Sequence, residues 1–199
     1  SLFMPVNRSV PDVAEKRKNW NGLISGFSAS DLVFLDESGC NTDMTRRYAY
    51  SFGGNRAVDS APLSKPKNTT ILSSIQLNGT LHYTTFSGGT TVERFKQYLE
   101  TDLLPHLNGD SVLVMDNMKS HHAKAVKNLL DSSGVRYVYL PPYSPDLNPI
   151  EKLWSKVKAL LRKFKARTLD ALPNAIQNAF HSVTVSDCSG WFRSCGYML

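Results

Sequence analysis

Two short apolar runs that each end in a carboxylate restrict what this chain can fold into. Val33-Phe34-Leu35 runs into Asp36-Glu37, and Val112-Leu113-Val114-Met115 runs into Asp116-Asn117. Such runs are short for a buried helix and rich in branched residues, so they read as buried strands. If the two pair side by side and in parallel, Asp36 and Asp116 emerge at one sheet edge, where open α/β sheets place their ligands. Glu151 follows after residues 117–150, on the first turn of a long helix, and can lean over that same edge.

The remaining pattern predicts a mixed sheet. Residues 1–30 are polar and helical in part, with a basic stretch between Pro11 and Trp20. Asp31 to Asp36 is the first strand, and Thr45 to Ser51 is a second that carries Arg46 and Arg47. Gly53-Gly54-Asn55 is a turn and Lys65 to Asn68 a loop. Thr70 to Leu77 and Leu81 to Phe86 flank Asn78-Gly79, a tight-hairpin dipeptide. Val92, Phe95, Tyr98, Leu99 and Leu103 have helical spacing over Val92 to Leu104. Ser111 to Met115 is a strand, His122 to Leu130 a helix ended by Ser133-Gly134, and Val135 to Leu140 a strand. Pro141, Pro142 and Pro145 stiffen the next loop. Asn148 and Pro149 then start a helix with Ile150, Leu153, Trp154, Val157, Leu160, Leu161 and Phe164 on its apolar face. Helices over Leu169 to Val183 and Ser186 to Cys195 follow. An antiparallel meander followed by strands alternating with crossover helices is an α/β fold, a mixed sheet flanked by helices.

Composition narrows the function. The 199 residues suit one domain, or one domain with an appendage, and 41% apolar residues supply a core. A net charge of +6 points to a polyanionic partner. Cys40, Cys188 and Cys195 match neither a disulfide framework nor a zinc site and read as reduced thiols. No run approaches the ~20 apolar residues of a membrane span, and no apolar leader is present. The start at Ser1 rather than methionine suggests a fragment of a longer protein or a processed chain.

Three acids converging in a basic chain point to divalent metal and phosphodiester chemistry. Carboxylate oxygens suit Mg²⁺ or Mn²⁺, and two such ions ~4 Å apart activate an attacking hydroxyl and stabilise a leaving oxygen. Close carboxylates also repel, so without metal at least one should titrate above its ordinary range. Each acid has a plainer reading on its own. Asp36 or Asp116 can be a turn residue or cap, and Glu37 can replace Asp36 as the ligand. Glu151 matches the third helical position of a capping box that begins at Asn148. The three together favour a site.

Phe34-Leu35-Asp36-Glu37-Ser38-Gly39, Met115-Asp116-Asn117 with His121, and Tyr143-Ser144-Pro145-Asp146-Leu147-Asn148-Pro149-Ile150-Glu151-Lys152-Leu153-Trp154 resemble the catalytic domain of mariner-superfamily transposases. The bacterial insertion-sequence branch is the most similar, also through Asn41 to Tyr48, Ala166 to Leu169 and Gly190 to Tyr197. The resemblance implies a ribonuclease-H-like fold over residues 31–199. Residues 1–30 become a linker from a missing N-terminal helix-turn-helix module that reads transposon ends. It implies an Asp36, Asp116 and Glu151 triad, with Asp36 bridging two Mg²⁺ or Mn²⁺ ions and the other two acids holding one each. The implied reaction is nicking at element ends, then attack of the freed 3′-hydroxyl on target DNA, usually at TA, by a homodimer on DNA. Such a protein works in the cytoplasm at a bacterial nucleoid, or in a nucleus. The rival reading is a catalytically silent, transposase-derived DNA-binding or assembly module.

Other residues have two readings each. His121 contacts a phosphate, orients a carboxylate, or is satisfied locally at a helix start. Asn117 bonds near the metals or makes a turn. Arg46 and Arg47 touch DNA phosphates or are solvated. Lys152 and Lys156, on the basic face of the long helix, add salt-dependent DNA affinity or are simply solvated. Trp154 and Trp191 read as core.

Overall fold

In the computed structural model, which describes residues 11–41, 68–164 and 170–197, five strands build one mixed sheet. They are β1 (Leu32–Cys40), β2 (Thr69–Gln76), β3 (Leu81–Ser87), β4 (Val112–Met115) and β5 (Arg136–Tyr139), in the order β3-β2-β1-β4-β5. The β3-β2-β1 half is antiparallel and the β1-β4-β5 half parallel. Six helices accompany it among the described residues: α1 (Pro11–Ile24), α2 (Val92–Tyr98), α3 (Lys124–Ser133), α4 (Ile150–Phe164), α5 (Leu172–His181) and α6 (Val185–Ser194).

Side-chain alternation sorts the core into two layers. Leu32, Phe34, Val112 and Val114 face α4, α5 and α6 and pack with Leu153, Trp154, Val157, Ile176 and Phe192. Val33, Leu35, Leu113 and Met115 face the other way, onto Phe95, Tyr98, Leu99, Val126 and Leu130 of α2, α3 and the segment after α2. A sheet covered on both faces explains why β1 and β4 read as unbroken apolar runs. The α1 helix joins the first layer through Trp20, which is buried.

The Asn78-Gly79 hairpin forms as expected, with Gly79 at φ 87 and Thr80 N–H bonded to Asn78 Oδ1 at 3.0 Å. Glycine suits that left-handed backbone, and an added Cβ would press on Val185 Cγ2 at 3.1 Å. Gly134, at φ 73, closes α3 as predicted.

Three expectations change. The first strand does not stop at Asp36: antiparallel pairing with β2 carries it on to Cys40, opposite Thr69. The helix over Val92 to Leu104 is regular only to Tyr98. Leu99–Leu103 is a wider π-type turn and Leu104–His106 a tight one, since Pro105 cannot continue the helix. The helix after β4 starts at Lys124, because Lys119–His122 form a separate tight turn. Thr45 to Ser51, with Arg46 and Arg47, the Gly53 turn and Ala166 to Leu169 lie outside the described residues. Among the described residues no helix is long and apolar enough to cross a membrane.

Candidate active site

Parallel pairing of β1 with β4 aligns Leu35 with Met115, so Asp36 and Asp116 follow at the same level of the sheet. Both continue the face of Phe34 and Val114, which is the face α4 covers. Glu151 lies on the first turn of α4. A cleft of about 480 Å³ opens here, lined by Asp116, Asn117, Pro142, Tyr143, Asn148 and Glu151 among others.

The capping-box reading of Glu151 fails. Asn148 Oδ1 accepts from the Ile150 N–H at 3.4 Å, and the Asn148 N–H is already bonded to Pro145 O at 3.1 Å. The Glu151 side chain is left at the cleft.

The electrostatics tie the three acids together. Burial, then the charges of Asp116 and Glu151, push Asp36 up to about 7. Glu151 is raised by burial and by Asp116, against the pull of Lys158. Asp116 goes the other way. Burial works to raise it, but His121 Nδ1 at 2.7 Å and the Met118 N–H at 3.0 Å hold it below the usual carboxylate range. The upward shift expected of close carboxylates therefore falls on Asp36 and Glu151.

His121 thus orients a carboxylate, out of contact with solvent. It is fully buried, with its ring stacked 4.4 Å from Phe95 and its carbonyl accepting from Tyr139 Oη at 2.8 Å. Asn117 is a latch across the strand ends. Its Nδ2 donates to Leu140 O at 2.5 Å, and its Oδ1 meets His122 Nε2 at 3.2 Å. Glu37 is half-buried on the opposite face of β1 from Asp36 and accepts from the Thr90 hydroxyl. It is a poor replacement for Asp36, because the strand pleat turns it away from α4.

Among the described residues no three His, Cys, Asp or Glu side chains stand close enough together to hold a metal ion. The donor set still fits a hard divalent cation. It is all carboxylate oxygen, and a positive ion would offset the burial and the repulsion from Asp116 and Glu151 that lift Asp36.

Residues 31–173 match the DDE superfamily endonuclease family. The chain belongs to that family. It is also similar to the Tc1 transposase of Caenorhabditis elegans, 29% identical over 97 residues that make up 47% of this chain and 36% of the relative. Among solved structures it resembles the Mos1 transposase paired-end complex with left transposon end (TM-score 0.79, 19% identity), covering 97% of this chain and 61% of that one. A structure of the Mos1 transposase catalytic domain with raltegravir and Mg has TM-score 0.65 and 18% identity, covering 93% and 89%. The fold is accordingly ribonuclease-H-like. The chain spans about a third of the Tc1 relative (36%) and 61% of the paired-end Mos1 chain.

In this DDE endonuclease domain the lysines of α4 divide differently from the expectation. Lys156 Nζ is committed to Asp187 Oδ2 at 2.5 Å and Ser182 O at 3.1 Å, tying α4 to α6 and the residue after α5. Lys152 is exposed and influences Cys195. Lys158 is the one whose charge reaches Glu151, and it also reaches Cys40 at the end of β1. Sequence reasoning likewise placed Trp154 in the core alone. It is buried, but its Nε1–H donates to Asp36 Oδ2 at 3.3 Å. The signal was available in the spacing: positions 151, 154 and 158 fall on one stripe of a helix.

Proposed function

We propose that this chain is the catalytic domain of a DNA transposase of the Tc1/mariner type. In this reading Asp36, Asp116 and Glu151 hold two Mg²⁺ or Mn²⁺ ions at the end of the parallel β1-β4 pair. What supports it is the electrostatic coupling of Asp36 to Asp116 and Glu151 near that edge, inside a segment matching the DDE endonucleases. When bound, the ions would supply the polarisation that phosphodiester cleavage needs.

The chain's own residues do the positioning. His121 and the Met118 N–H keep Asp116 ionised and oriented. The Trp154 indole fixes one oxygen of Asp36. The α4 helix brings Glu151 to the cleft, with Lys158 two turns along the same stripe to attract the DNA backbone. A net charge of +6 supports a polyanionic substrate. The same reading extends to 3′-hydroxyl strand transfer into TA targets, a homodimer on transposon ends, and residues 1–30 as the link to a DNA-reading module. It also takes in the bacterial insertion-sequence branch and a cytoplasmic or nuclear location, through resemblance.

The test is cleavage of pre-nicked, end-mimicking DNA in Mn²⁺ by the wild type and by Asp116→Asn. We expect at least a 100-fold loss in the variant with the fold retained. Equal rates would sink the assignment of Asp116, and no cleavage by the wild type on any DNA would favour the silent module.

A further inference from the structure

The loop from Leu140 to Asn148 is pinned almost everywhere. Leu140 O is held by Asn117 Nδ2 at 2.5 Å, and Leu147 O by Tyr197 Oη at 2.5 Å. Arg17 of α1 reaches across to Ser144 Oγ at 2.8 Å and to both oxygens of Asp146 at 3.2 and 2.7 Å. Ser144 Oγ in turn donates to Pro142 O at 3.1 Å. Pro141, Ser144 and Asn148 are buried.

Tyr143 is the exception in the middle of this frame. It is 64% exposed, more than any other large apolar residue described. Its φ of 55° is the one left-handed value among the described non-glycine residues, a region that bulky side chains rarely occupy. Its ring makes no stacking contact and its hydroxyl no hydrogen bond among the described residues. Folding therefore gains nothing visible from the strain or from the wetted ring. Strain kept by a rigid surround is a mark of function. The ring stands at the rim of the cleft that Asp116 and Glu151 line.

We infer that Tyr143 is a stacking platform for an unpaired nucleobase next to the phosphodiester held in the cleft; this rests on the DNA chemistry proposed above. The exposed aromatic face is apolar and uncharged, so it is matched to the base of a nucleotide rather than to its phosphate. Bases inside a duplex have both faces covered. Only a terminal, single-stranded or extruded base offers a free one, and stacking on it is indifferent to sequence. The fixed backbone removes the ordering cost that a mobile loop would carry on binding.

The experiment measures affinity by fluorescence anisotropy in Mn²⁺, using duplexes with a four-nucleotide single-stranded 3′ flank. A second set carries one abasic site moved along that flank. One base–aromatic stack predicts that Tyr143→Ala weakens binding about 10-fold or more, while Tyr143→Phe and Tyr143→Trp stay within about 3-fold. At one flank position the abasic site should cost the wild type a similar factor and Tyr143→Ala nothing further. Tyr143→Asn, which suits a left-handed backbone, should bind as weakly as the alanine variant with an unchanged or higher Tm. Wild-type affinity in Tyr143→Ala, or abasic losses that add to it at every position, would overturn the platform and leave the DNA reading standing. No DNA binding by the wild type would remove both.

Discussion

Asp36 carries the most telling single-residue chemistry. Its carboxyl is lifted from 3.8 to about 7, by burial first and by Asp116 and Glu151 next. Between those values the folded chain holds a proton that the unfolded chain has lost. Metal-free stability therefore falls as pH rises from about 4 to 7 and stays lowered above it. Asp36→Asn removes that penalty. We expect its metal-free Tm to exceed the wild type's by several degrees at pH 8, equivalent to ~2–4 kcal/mol, and to match it near pH 4. Thermal melts at the two pH values check this, and an unchanged Tm at pH 8 would contradict the buried acid cluster. The same substitution should abolish any Mn²⁺-induced gain in Tm.

Elements place the acids through spacing that a linear reading captures only in part. The stripe of Glu151, Trp154 and Lys158 on α4 follows from 3.6 residues per turn, once the helix start at Asn148 and Pro149 is known. Which neighbour each residue meets depended on how α4 lies along β1, and that put Trp154 on Asp36 and Lys158 near Cys40. Lys156 illustrates the limit of a helical wheel. It belongs to the basic face in sequence, but Asp187 takes its charge. Asp187 also closes a capping box with Thr184 at the start of α6. Asp187→Ala should cost ~1–2 kcal/mol through the lost cap, read as a lower denaturation midpoint. Lys156→Ala should cost ~1 kcal/mol or less and leave the salt dependence of DNA binding unchanged. A slope reduced by about one in Lys156→Ala would return that lysine to the DNA surface.

At the scale of the whole molecule, α1 is more than a tether. Trp20 is 3% exposed and sits in the same core layer as α4, and Arg17 secures the loop that leads to Glu151. Trp20→Ala should therefore cost ~3–5 kcal/mol in chemical denaturation, as a large core truncation does; a change under ~1 kcal/mol would mean α1 is only loosely attached. By itself the sequence determined the class of fold and most elements, and it nominated the three acids of the proposed site. Apolar runs, a hairpin dipeptide and helix caps act between near neighbours, so their physics can be read along the chain. Only the tertiary structure decided that Asp36 lies inside a longer strand, that Glu37 turns away from α4, and that His121 serves Asp116. It also decided that Lys158 rather than Lys156 acts on Glu151 and that Tyr143 stands strained at the cleft. Each of these depends on a partner far off in sequence, such as β2 for Asp36, Asp187 for Lys156 and Arg17 for the loop. Local propensity carries no information about which distant segment supplies that partner.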